Sequence, residues 1–218
     1  MIKFKNDSKG STLIILLLTI SVIVLVGTMA MYLAVINFKM KKTNSTVKQN
    51  FYLAEAGIDE SFIIAKEFVG NAIVYAVSKA EEFNEIDAQI NNDTPNRLLS
   101  IGNNITEERK NMIFTGAFKN FIKGNCTDIS PNHSLITVLK KSESYIVYYN
   151  GFPKINPKIT EKTDFFQIEV KSTFLEGNIK EDITLIYKIV VPKYNDYILN
   201  NDLKPEDIIE IVEWKRER

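Results

Sequence analysis

Cysteine and histidine are nearly absent from this 218-residue chain, which has one of each, Cys126 and His133. A single cysteine cannot close an intramolecular disulfide, so the fold is not a cysteine-stapled small secreted domain. Zinc takes several His or Cys ligands, and these two residues do not fill such a site. Cys126 and His133 lie close in sequence, which raises a thiolate–imidazole pair. The segment Asn125–Pro131 nevertheless reads as loop, and no third residue orients the pair, so loop and packing roles are expected of both.

Net charge is lacking too, with 27 Lys+Arg against 27 Asp+Glu. No run of Lys and Arg mixed with aromatics occurs in the C-terminal two-thirds, and no nucleic-acid partner is expected. Gly-rich phosphate loops, HExxH and G-x-S-x-G elements are missing, as is any series of Asp and Asn ligands closed by a glutamate. The chain is therefore expected to be no enzyme and to carry no cofactor or metal.

What the sequence does have is one long uncharged run. Met1–Gly10 is short and polar, with Lys3, Lys5 and Lys9 outweighing Asp7. No charged residue then occurs from Ser11 to Phe38, and Lys39, Lys41 and Lys42 close the run. As a helix this run is about 42 Å long, more than the ~30 Å hydrocarbon core of a bilayer. It exceeds the apolar region of a secretory signal peptide, and no small-residue cleavage site follows it cleanly. Residues 11–38 are accordingly expected to span a membrane. Lysines flank both ends in similar number, so charge does not orient the span.

The junction Lys9-Gly10-Ser11-Thr12-Leu13-Ile14 resembles the prepilin-peptidase recognition site of type IV pilins and type II secretion pseudopilins. The resemblance implies a cytoplasmic leader, residues 1–10, cut between Gly10 and Ser11, with Ser11 becoming the methylated N-terminus. Glycine presents no side chain to obstruct a protease at the membrane surface. Major pilins carry a glutamate at the fifth mature position, where it meets the terminal amine of a neighbouring subunit; here that position is Ile15. The usual pairing carboxylate is thus missing, which narrows the resemblance to minor pilins of the PilX-like group and tip pseudopilins. The block Phe51-Tyr52-Leu53-Ala54-Glu55-Ala56-Gly57-Ile58 adds a second likeness, because PilX-like minor pilins and related pilin-like proteins of Gram-positive bacteria often carry an Ala-Glu-Ala-Gly segment at about this distance from the cleavage site. Glu55 is either a subunit contact or a solvated charge on the helix.

Downstream of the lysines, Phe51, Ala54, Ile58, Phe62, Ala65, Val69, Ala72, Ala76, Ala80 and Phe83 recur at steps of three and four. That is an amphipathic helix over 39–88, alanine-rich and without strict heptads. Residues 89–130 read as a connector: Asn91–Asn96 as loop, then a short helix opened by Thr106-Glu107-Glu108. Met112, Phe114, Phe118 and Phe121 are its apolar contacts and Gly124 its end. Residues 131–218 read as an antiparallel β head. Ser134–Lys140 and Ser144–Asn150 form one expected hairpin through Lys141-Ser142-Glu143. Phe166, Ile168, Val170 and Phe174 form another with Ile183, Leu185, Tyr187, Ile189 and Val191, across Glu176-Gly177-Asn178. Ile208–Trp214 reads as a last strand or as a helix starting at Pro205, with strand preferred.

The expected fold is α+β: a long N-terminal helix, membrane half plus amphipathic half, packed on an antiparallel sheet. The pilin resemblance implies a filament subunit, with other pilin or pseudopilin subunits, prepilin peptidase and the membrane as partners. It places the head outside the cell, or on the pilus after assembly. The rival expectation is a single-span membrane protein whose extracellular head binds a partner and joins no filament.

Overall fold

The computed structural model describes residues 8–92, 102–126, 128, 133–141, 153–200 and 203–217. The chain divides into two compact units, Met1–Lys48 and Gln49–Arg218. Helix α1, Ser8–Asn92, contributes to both. It contains no proline, and its side chains differ sharply between the units. From Leu13 to Met40 the large apolar side chains are exposed, with Ile36 half-buried, whereas Ala54, Ile58, Ser61, Ala65, Phe68, Val69, Ala72, Ile73, Ala76 and Ala80 are buried. The expected stripe is therefore the core face of the helix in the second unit. Phe51 and Phe62 sit at its margin, packed against the core but only partly buried. The side chain of Phe83 lies outside the described residues. Asn91 and Asn92, expected in a loop, are the last residues of α1; Asp93–Asn96 lie outside the described residues.

Helix α2, Gly102–Lys123, begins four residues before the expected start. Glycine and asparagine weaken a helix without breaking it as proline does, so Gly102–Ile105 extend the turn backwards. Glu107 and Glu108 are consequently displaced from the first turn, and the expected contact with its positive end is lost. Phe114, Phe118, Phe121 and Ile122 are buried as the spacing implies, but Met112 is 74 % exposed and is not one of the apolar contacts. Gly124 ends the helix at φ +76°, with its N–H donating to the Phe121 carbonyl at 3.0 Å.

The expected strand Ser134–Lys140 is a helix, α3, Leu135–Lys141. Its β-branched residues Ile136, Thr137 and Val138 favour strand, but two local features outweigh them. Ser134 caps the first turn: its Oγ accepts from the Thr137 N–H at 3.2 Å, and its carbonyl accepts from the Val138 N–H at 3.0 Å. Leu135 and Leu139, one turn apart, are both fully buried. Lys141 ends this helix instead of opening a hairpin; Ser142–Asn150 lie outside the described residues.

The sheet is antiparallel, with order β1-β2-β3-β4. Its strands are β1 (Lys154–Glu161), β2 (Phe165–Glu176), β3 (Ile179–Val190) and β4 (Ile209–Glu217). Strands β2 and β3 meet in the expected hairpin, Glu176 pairing with Ile179 across Gly177-Asn178, with Gly177 at φ +60°. Phe166, Ile168, Val170 and Phe174 are buried with Ile183, Leu185, Tyr187 and Ile189, while Val191 falls just past the strand. Strand β1 was not anticipated, because Pro157 interrupts its pattern. It is an edge strand among the described residues. The Lys162 N–H donates to the Phe165 carbonyl at 2.9 Å, so the even-numbered residues of β1 face β2 and Pro157 turns its missing donor to the open side.

Between β3 and β4 come α4 (Tyr194–Asn200), also unanticipated, and α5 (Pro205–Ile208). In α5 the Lys204 N–H donates to Asp207 Oδ2 at 2.9 Å and Pro205 occupies the first turn. Both readings of the C-terminal stretch are thus partly realised: one helical turn from Pro205, then a strand from Ile209.

On the sheet's outer face Asp182 stands directly opposite Glu217, a like-charge pair held by Lys171. The Lys171 Nζ lies 3.1 Å from Asp182 Oδ2 and 2.5 Å from Glu217 Oε2. Burial pushes the Asp182 carboxyl up, but hydrogen bonds from Lys180, Thr173 and Lys171 outweigh it and leave it below the usual range. The Lys171 hydrogen bond draws Glu217 down likewise. Carboxyls depressed in the folded state contribute stability above their unfolded pKa values and lose it as pH falls through the folded ones. Lys171→Met is therefore expected to destabilise the head most above the ordinary carboxylate range, the deficit shrinking as pH falls through and below that range. Denaturant unfolding across that range checks it; a deficit independent of pH would refute the linkage.

Candidate functional site

In the first unit the described part of α1 is long, apolar and largely exposed, compatible with a membrane span. Among the described residues there is one helix long and apolar enough to cross a membrane, and none of its most apolar stretch is buried. Three of its hydroxyls bond within the helix. Thr19 Oγ1 donates to the Leu16 carbonyl at 2.8 Å, Ser21 Oγ to Leu17 at 2.9 Å and Thr28 Oγ1 to Leu25 at 2.9 Å. Such back-bonding pairs these three donors without need of water. Lys39, Lys41 and Lys42 are exposed where the run ends.

Gly10 and Ser11 lie within the backbone of α1, and the side chain of Ser11 lies outside the described residues. Ile15 is 60 % exposed, one of a series with Leu13, Ile14, Leu16, Leu17 and Leu18. Glu55 belongs to the second unit and is half-buried there. The four residues singled out from the sequence therefore fall into two groups, Gly10, Ser11 and Ile15 in one unit and Glu55 in the other.

The neighbours of Glu55 have a role that periodicity did not disclose. Ala54 is fully buried, and Gly57 faces the sheet at very short range. A Cβ built on Gly57 would lie 2.7 Å from Ser172 Oγ, 2.9 Å from Pro153 Cγ and 3.0 Å from Ile155 Cδ1. The small residues of the Ala54–Gly57 block thus let α1 approach β1 and β2 closely. Beside this contact, Asn50 is buried and its Nδ2 donates to the Ile179 carbonyl at 3.0 Å, tying the helix to the start of β3. The Arg216 guanidinium lies 4.6 Å above the Phe51 ring and binds Glu181 at 2.9 Å.

The opposite face of α1 in this unit carries exposed Tyr52, Ile63 and Val74. Each is eleven residues, or about three turns, from the next, so the three lie in one stripe. Near Val74 an open groove of about 390 Å³ is lined by Gly70, Ile73, Val77, Tyr197, Leu203 and Pro205. It is mostly apolar and holds no convergent set of acid, base and nucleophile.

Cys126 and His133 have the packing roles expected of them. The His133 ring meets Phe68 in a tilted contact at 5.2 Å and Phe121 edge-on at 5.7 Å. Cys126 is half-buried beside Tyr75, whose hydroxyl is pushed up by burial and by its hydrogen bond with Cys126. No hydrogen bond joins Cys126 to His133 among the described residues, nor is there any group of three His, Cys, Asp or Glu placed to hold a metal.

Comparison with models of protein families, with curated proteins and with solved structures finds no match for this chain.

Proposed function

We propose that this chain is a structural subunit, a minor pilin or pseudopilin, of a type IV pilus or related secretion filament. Prepilin peptidase removes residues 1–10 on the cytoplasmic side, and the exposed apolar part of α1 then leaves the bilayer to pack against other subunits. The head stays outside the cell and travels with the filament.

The observation that carries this reading is the contrast along α1. One uninterrupted helix is uncharged from Ser11 to Phe38 and largely exposed from Thr12 to Phe38, then buries an alanine-rich face in a folded head. A helix of that composition needs hydrocarbon or other apolar helices around it. The Lys9-Gly10-Ser11 junction supplies the route from the first environment to the second. Ile15 in place of a glutamate leaves no carboxylate to meet a neighbour's amine, in keeping with a low-copy or tip position.

The test is a mass measurement after co-expression with a prepilin peptidase. Loss of Met1–Gly10 is expected, and Gly10→Leu is expected to abolish it by placing a branched side chain at the scissile position. An N-terminus left intact in the unaltered protein refutes the filament reading and leaves a single-span protein with an extracellular binding head.

A further inference from the structure

Strand β4 is an edge of the sheet among the described residues, bonded to β3 alone. Monomeric proteins protect such edges with proline, charge or bulges, because a free row of N–H and C=O groups accepts another strand. At the opposite edge Pro157 serves that purpose. Strand β4 is charged and irregular at Val212 but has no proline, and Ile211, Val212 and Trp214 are 59 %, 51 % and 46 % exposed.

The ladder shows which backbone groups of β4 are free. The Val191 N–H donates to the Asp164 carbonyl at 2.9 Å, so odd-numbered residues of β3 bond towards β2 and even-numbered ones towards β4. Thr184 and Ile186 thus bond their partners Lys215 and Glu213, while Trp214 and Arg216 turn their backbone groups to the open side. The irregularity in the ladder falls at Val212, and Glu213–Glu217 run beyond it in regular register.

This edge is complementary to itself. When two copies run antiparallel with Trp214 opposite Trp214 on a two-fold axis, each Glu213 lies opposite the other copy's Lys215. A register centred on Glu213 opposes two glutamates, and one centred on Lys215 opposes two lysines. Like charges directly opposite are destabilising, so charge selects the Trp214 register. Glu213 and Lys215 are both exposed, and neither forms an ion pair within the chain among the described residues. Residues directly opposite share a face, so the two indole rings also meet on the face where each packs against its own Phe51, 6.3 Å between ring centres.

We propose that the head dimerises with a second copy of this chain through antiparallel β4–β4 pairing, Trp214 on the two-fold axis and a Glu213–Lys215 pair on either side. Such an isologous contact closes on itself and is independent of cleavage at Gly10, so it stands apart from the filament reading.

The experiment uses the full, uncleaved chain in detergent, with the protein mass of the particle measured by light scattering. The unaltered chain is expected to be a dimer. Lys215→Glu and Glu213→Lys, each opposing like charges twice across the axis, are expected to weaken it about tenfold. The double exchange Glu213→Lys/Lys215→Glu is expected to restore it. A monomeric unaltered chain overturns the proposal, as does a dimer that both single changes leave intact, which would be held by the apolar helices. Failure of the double exchange to restore the dimer overturns the register.

Discussion

Phe114→Ala is expected to lower the unfolding free energy of the head by about 3–5 kcal/mol. The Phe114 side chain is fully buried, and its ring meets Tyr194 edge-on at 5.8 Å, so it ties α2 to α4 as well as to the core. Alanine removes that contact and leaves a cavity that two helices held by other residues cannot collapse to fill. Met112 is the control, two positions away and 74 % exposed; Met112→Ala is expected to change stability by less than about 0.5 kcal/mol. Denaturant unfolding of the detergent-solubilised chain, followed by fluorescence of its one tryptophan, Trp214, measures both. A Phe114→Ala loss below about 1 kcal/mol would contradict the core described above.

Gly57→Val is expected to cost about 2–3 kcal/mol by the opposite mechanism, overpacking. Even a Cβ at this position would approach Ser172, Pro153 and Ile155 to 3.0 Å or less. Two of these neighbours resist displacement: Ser172 and Ile155 are buried and directly paired in the β1–β2 ladder. Valine adds two methyl groups with little rotamer freedom in a helix, so the helix must move away from the sheet. Gly57→Ala is the milder case, because alanine's better helix propensity returns up to about 1 kcal/mol. Gly27 provides the contrast, as nothing lies within 4 Å of a Cβ built there. A Gly57→Val protein as stable as the parent would show that α1 and the sheet do not approach as described.

The exposed and buried halves of α1 were legible because each has a long-range signature in composition. A charge-free run signals hydrocarbon, and three-and-four spacing signals one covered face. The β2–β3 hairpin was legible for a related reason: strict alternation on both sides of a glycine turn leaves one solution. Short segments lack such redundancy. Ile136, Thr137 and Val138 argued for strand, and only the Ser134 cap with buried Leu135 and Leu139 decided for helix. Strand β1 hid behind Pro157, which excludes a central strand but not an edge, and edges exist only once a sheet does.

The candidate site divides in the same way. Gly10, Ser11 and Ile15 could be picked out from the sequence because the proposed processing and membrane insertion would act on a contiguous stretch of chain. The use of Gly57 could not, since its neighbours Ser172, Pro153 and Ile155 are about a hundred residues distant and meet it only through packing. Nor could the open side of β4, because the free backbone groups of Trp214 and Arg216 follow from hydrogen-bond parity passed across the ladder from β2 through β3. By itself, then, the sequence determined a membrane-compatible helix continuing into an amphipathic one, and a β-rich head with one strong hairpin, because those depend on composition and periodicity within single segments. Tertiary structure alone decided the helical fate of Leu135–Lys141, the close approach at Gly57 and the exposure of the β4 edge, because each depends on which distant residues arrive at the same place.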